Sequence, residues 1–141
     1  MSDTAKIENL KVGMSASYSQ TITDADIKNF AGISGDHNPV HMDEEYAVET
    51  RYGKRIAHGL ISASFFSALF GTKLPGPGCV YASQHLNFRR PVYIGDTVRA
   101  TVTITDIDYN KKRIFFDTFC TVRGKVVIEG KAEIVIPRSG K

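Results

Sequence analysis

The run Gly59–Phe70 (GLISASFFSALF) carries no charge and sets small or apolar side chains on every side of a helical turn. A helix of that make-up has no polar face to offer water, so it is expected to be buried nearly all round. Gly71 and the LPGPG run Leu74–Gly78 are expected to stop it, because glycine is a poor helix former and proline has no N–H for the helical ladder. The rest of the chain must therefore enclose one greasy cylinder.

The second half supplies the enclosure. Val98, Ala100, Val102 and Ile104 alternate with Arg99, Thr101, Thr103 and Thr105, the two-residue period of a half-buried strand. Ile114, Phe116, Cys120 and Val122 share one face of the next strand, and Val126, Ile128, Ala132, Ile134 and Ile136 one face of the last. Tyr109–Lys112 and Arg123–Lys125 are short links, which joins these strands as antiparallel hairpins. Cys79–Phe88 adds a strand before Pro91, and Met14–Ile22 a first strand. The expected fold is α+β, an antiparallel β-sheet wrapped around one long buried helix. With no internal repeat or low-complexity linker, residues 1–141 read as a single domain.

Apolar residues at 42% and charged residues at 23% place the chain among ordinary globular proteins and exclude disorder. A net charge of +3 is too mild to identify nucleic acid as a partner, although it suits phosphorylated anions. No apolar run could span a bilayer and MSDTAKIENL has no apolar signal core, so a cytoplasmic protein without a membrane partner is expected. Cys79 and Cys120 fall in strand-like segments and read as structural thiols rather than a disulfide framework.

The first half holds the polar candidates. Thr23-Asp-Ala-Asp26 resembles a capping box with Asp26 in place of the usual Glu, and Ile27, Phe30 and Ala31 form one apolar stripe ending near Gly32–Gly35. Pro39 interrupts any helix and pushes Asn38 towards extended backbone, so Asp36 to His41 is expected as a loop, followed by a short helix over Asp43–Glu49. A loop can aim Asp36 and His41 at one point, which their spacing on a straight helix would not. Such a pair moves protons near neutral pH: histidine titrates near about 6.5, while aspartate, near about 3.9, is a weak base unless burial raises it. The same Asp-x-Asn-Pro residues also make a common turn, so residue types alone leave both readings open. His37 and His41 have zinc-like spacing, but Pro39 spoils the helical geometry and no third ligand is evident, so no metal is expected. His58 either caps the apolar helix or fills a buried polar niche. His85, within a strand, reads as structural, and Lys111-Lys112-Arg113 as a solvated turn.

The segments FAGISGDHNPVHMDEEYA (Phe30–Ala47), RIAHGLISASFFSALFG (Arg55–Gly71), LPGPG and LNFRRPVYIGDTV (Leu86–Val98) together resemble the MaoC-like dehydratases, also called type 2 or (R)-specific enoyl-CoA hydratases. The motifs come in the family's order, without departure, and cover most of the chain. The resemblance implies the hot-dog fold and reversible syn addition of water to trans-2-enoyl-CoA, giving (R)-3-hydroxyacyl-CoA. Fatty-acid β-oxidation and polyhydroxyalkanoate precursor supply are the settings it implies. Asp36 and His41 match the family's catalytic pair, Gly59 the glycine whose N–H receives the thioester oxygen, and Ser67 a serine that orients the site. No cofactor is implied, CoA being part of the acyl-CoA substrate, and the implied assembly is a homodimer with sheets joined edge to edge. Arg89 and Arg90, and with them Lys111-Lys112-Arg113, are candidate contacts for CoA phosphates, since guanidinium forks fit phosphate, although solvated strand ends and turns are the plainer account. Competing readings are a 3-hydroxyacyl-acyl-carrier-protein dehydratase with the same chemistry, a hot-dog thioesterase, and a non-catalytic acyl-CoA-binding protein.

Overall fold

The computed structural model describes residues 5–138; Met1–Thr4 of the N-terminal segment and residues 139–141 lie outside them. In chain order the elements are β1 (Ser15–Thr21), α1 (Asp24–Ser34), α2 (Pro39–Met42), α3 (Glu44–Val48), α4 (Gly59–Thr72), β2 (Val80–Phe88), β3 (Thr97–Asp108), β4 (Arg113–Val122) and β5 (Lys125–Val135). The strands form one sheet in the order β1-β3-β4-β5-β2, every pair antiparallel.

Alternation in β3 and β4 turns Val98, Ala100, Val102, Ile104, Ile114, Phe116, Cys120 and Val122 inward, all buried. They meet Ile61, Phe65, Phe66, Leu69 and Phe70 of α4 in one continuous core. Phe70 packs on Phe116 with ring centroids 4.7 Å apart, and Phe65 meets Tyr18 of β1 edge-on at 5.4 Å. Burying each such side chain stabilises the fold by about 1.5–3 kcal/mol. This is the hot-dog arrangement, a sheet curled around a central helix.

Two expectations need correction. The wrap is incomplete: Leu60 of α4 is 53% exposed, and Ser64, Ser67, Ala68 and Gly71 follow it along an open stripe. Among the described residues the sheet ends at β2, which pairs with β5 alone and leaves Val80, Tyr81 and Phe88 exposed beside that stripe. Val126 does not share the inner face with Ile128. Cys120 pairs with Ile128 but Thr121 pairs with Val126, so a β-bulge inserts an extra residue and Val127 takes the buried position.

Candidate active site

A chain of short-range bonds builds the site from α1 onward. The capping box forms as expected: Asp26 N–H donates to Thr23 Oγ1 at 3.2 Å, and Thr23 N–H to Asp26 Oδ2 at 2.9 Å. Gly35, at φ +80°, ends α1 in the left-handed conformation that suits glycine. Ser34 Oγ then accepts from Asp36 N–H at 3.0 Å, Asp36 Oδ1 from Asn38 N–H at 3.1 Å, and Asn38 Oδ1 from Val40 N–H at 3.1 Å. The last of these caps α2, with Pro39 in its first turn. Asp36 lies in a loop as expected, but His41 lies on a helix. Proline starts that helix instead of breaking it, because a missing N–H costs nothing where no acceptor precedes it.

The segment before α4 fixes His41. Its Nδ1–H donates to Ile56 O at 2.7 Å, which leaves Nε2 with a free lone pair. Ile56 N–H donates to Val40 O at 3.2 Å, and Arg55 Nε–H to His41 O at 2.6 Å. Arg55 is itself anchored by Asp24 Oδ1 at 2.7 Å. Burial holds the His41 pKa below the ordinary histidine value; the Ile56 bond opposes the shift, neighbouring His58 adds to it, and Asp36 opposes it least. At neutral pH the imidazole is therefore a proton acceptor.

His58, 2% exposed, occupies the N-cap of α4 without making a side-chain cap bond. Its Nε2–H donates to Asp36 O at 2.9 Å, and its ring stacks 4.0 Å from that of His41. One ligating atom from each of Asp36, His41 and His58 falls within 4.8 Å of the others. The Asp36–His41 spacing suits one shared water, since two hydrogen bonds of about 2.8 Å span such a gap at an ordinary angle. The cluster also gives the Asp36–His41 pair one companion that the sequence did not, His58 being the third polar group and not His37, which is exposed. His58 Nε2 is committed to Asp36 O, and its Nδ1 is sealed from solvent.

Gly59 is the first residue of α4, where backbone N–H groups have no acceptor within the helix. With His41 it lines two cavities. One, of about 260 Å³, runs to Arg51, Tyr52, Arg89 and Arg90; the other, of about 170 Å³, holds Asp36, His58, Leu60 and Phe88. A Cβ on Gly59 would lie 2.5 Å from the Phe88 ring, so any larger residue would have to move that ring. Ser67 is elsewhere. It sits on the open stripe of α4, about 12 Å along the axis from Gly59, in a cleft with Leu60, Ser64 and Tyr81. Within one chain the structure does not bring it to Asp36 and His41.

Arg89 is paired with Glu129, its Nε 2.6 Å from Oε2, and Arg90 Nη1–H donates to Val126 O at 2.5 Å. Both line the larger cavity, but neither is uncommitted. Arg51, which donates to Tyr52 OH at 3.0 Å, lines the same cavity and was missed, having no motif to mark it. The Arg55 and Ile56 contacts to His41 were also missed, since backbone acceptors leave no signature in sequence.

Fold and site together define a hot-dog domain with a carboxylate–imidazole pair at the N-terminal end of its central helix. The chain matches the MaoC like domain over residues 7–131 and belongs to that family. It is 54% identical to the (R)-specific enoyl-CoA hydratase of Rhodospirillum rubrum, over 94% of this chain and 92% of that protein. It is 36% identical to the mitochondrial 3-hydroxyacyl-[acyl-carrier-protein] dehydratase of Arabidopsis thaliana, over 91% and 78%. Among solved structures, the (R)-hydratase from A. caviae involved in PHA biosynthesis superposes with a TM-score of 0.89 at 36% identity, covering 92% of this chain and 99% of that one.

Proposed function

We propose that this protein is an (R)-specific enoyl-CoA hydratase. The observation that carries the reading is the convergence, in one cavity at the start of α4, of the Asp36 carboxylate, the His41 imidazole and Gly59, whose N–H lies in the first turn of the helix. The 54% identical relative bears that activity in its name.

The chemistry follows from the parts. An enoyl thioester is electrophilic at C3 because its carbonyl can take up charge. A water held between Asp36 and His41 adds its oxygen to C3, while the pair passes its proton to C2 on the same face, making the addition syn. The thioester oxygen becomes enolate-like as this happens. Gly59 N–H and the positive end of the α4 dipole stabilise it, and losing such a donor costs about 3–4 kcal/mol. No metal or separate cofactor enters the scheme, CoA being part of the substrate. Arg90 and Arg89 would meet the CoA phosphates at the far end of the larger cavity, Arg89 by exchanging its Glu129 pairing.

The proposed assembly is a homodimer. A second copy would cover the open α4 stripe and extend the sheet from β2, whose unpaired edge and exposed Val80, Tyr81 and Phe88 are unusual for a lone subunit. Ser67 lies on that surface, so its support of the site belongs to the assembled dimer. β-Oxidation or polyester precursor supply, in the cytoplasm, is the setting we propose; the two free cysteines, Cys79 and Cys120, suit a reducing compartment.

The test is hydration of crotonyl-CoA with chiral analysis of the product, run beside crotonyl-acyl-carrier protein. Fast formation of the (R)-alcohol from the CoA ester supports the proposal. A strong carrier preference would instead favour the dehydratase reading, to which the 36% identical plant relative lends weight. Release of free thiol without loss of enoyl absorbance would make the protein a thioesterase.

A further inference from the structure

His58 stands where every group of the proposed chemistry meets. It precedes Gly59 in the chain, donates from Nε2 to the main-chain oxygen of Asp36 at 2.9 Å, and lays its ring 4.0 Å from that of His41 at 32°. The Phe30 ring also packs on it, tilted, with centroids 4.8 Å apart. An N-cap residue ordinarily accepts a hydrogen bond from the first turn of its helix, and this one does not. Its single ring donor goes to Asp36, and Nδ1 is left buried without a partner among the described residues. A helix start that forgoes its cap and strands a buried acceptor is less stable than serine or aspartate would make it. Neither of those short side chains could both reach Asp36 and present a flat face to His41.

We infer that His58 is a positioning residue for the reaction proposed above, on which this inference rests. It ties the Asp36 loop to the start of α4 and holds the plane of the His41 imidazole, so that carboxylate, imidazole and Gly59 N–H keep one relative geometry. It touches no reacting atom. Displacing a catalytic group by about 1 Å can lower a rate about a hundredfold, so a rigid joint between the three groups has direct kinetic weight.

Two variants separate its two contacts. His58→Phe keeps an aromatic face and loses the donor; His58→Gln keeps an amide donor and loses the ring. In crotonyl-CoA hydration, His58→Phe is expected to lower kcat by about tenfold or more while KM stays within about threefold, with His58→Gln several-fold faster than His58→Phe. A wild-type kcat in His58→Phe, or equal rates in the two variants, would overturn the inference. Histidine-selective nitrogen NMR of the wild-type protein supplies a readout independent of folding in the variants. It should find His58 as the Nε2–H tautomer with a slowly exchanging ring proton, and an Nδ1–H tautomer would overturn the inference. Absence of hydration by the wild type would sink the functional reading, while the tautomer would still decide whether His58 holds the Asp36 loop.

Discussion

His41 donates from Nδ1 to the carbonyl oxygen of Ile56 at 2.7 Å, and this one bond fixes which nitrogen can work as a base. It selects the tautomer, orients the ring and leaves Nε2 open. His41→Ala and Asp36→Asn should each lower kcat for crotonyl-CoA by about 10²–10⁴-fold, the usual share of a positioned acid or base. Both positions are solvent-facing or half-buried, so folding should survive. Circular dichroism and turnover on the same samples test this, and near-wild-type rates in either folded variant would remove the pair from the mechanism.

Burial gives a pH dependence with a definite sign. Because the His41 pKa lies below the ordinary value, the acceptor form persists below the pH at which a free histidine, near about 6.5, is half protonated. The acid limb of kcat/KM should therefore fall below that point, not above it. Stability follows the same linkage. The unfolded chain takes up the proton first as pH falls, so this contribution is whole above the unfolded pKa and is lost as pH drops through the folded one. A pH–rate profile and denaturant midpoints across that window measure both. An acid limb above the free-histidine value would contradict the burial argument.

Gly59 and Phe88 form a matched pair, since a Cβ on Gly59 would stand 2.5 Å from the Phe88 ring. Phe88 is 54% exposed and can swing aside, so Gly59→Ala should fold. The displaced ring would then disturb both cavities at the point where the thioester oxygen is proposed to sit. The expected result is a large loss of kcat with little change in Tm. Retained activity would show that the ring's place over Gly59 is immaterial.

Arg90 gives a contrast between substrates. If its guanidinium meets CoA phosphate, Arg90→Ala should raise KM for crotonyl-CoA and leave that for crotonyl-N-acetylcysteamine unchanged, because the short thioester has no phosphate to lose. An equal effect on both would mean that its bond to Val126 O matters only for holding the β5 bulge.

How much of this was legible in the sequence depends on whether a feature is periodic. The apolar run of α4 and the alternation of Val98–Ile104 report their burial directly, so the fold class followed from them, and the short links gave the β3–β4 and β4–β5 hairpins. The β1–β3 and β2–β5 pairings join strands far apart in the chain and left no local signal. The bulge at Val126 and Val127 breaks a period without changing composition, so its shift of register was invisible. Pro39 was misread because proline stops a helix in its interior and starts one at its first turn, and only the Asn38 cap tells the two apart. Asp36 and His41 could be named from the ordered motifs, whereas Ile56 acts through its backbone and the Arg55 and His58 side chains act on the main-chain oxygens of His41 and Asp36, acceptors that any residue possesses. The open face of α4 was hidden for a different reason. Alanine, serine and glycine suit a tight interface as well as an interior.

That open face yields the sharpest test of assembly. In one chain Ala68 is exposed, so Ala68→Glu should cost the isolated subunit almost nothing. In the proposed homodimer the same carboxylate would be buried in an apolar contact without a partner, where an unpaired charge is strongly destabilising. Sedimentation at micromolar concentration should therefore show a dimer for the wild type and a monomer for Ala68→Glu, with secondary structure unchanged. Hydratase turnover should fall with the dimer, because Ser67 can support a site only across that contact. A wild-type monomer would refute the assembly, and a fully active Ala68→Glu monomer would remove Ser67 from the mechanism.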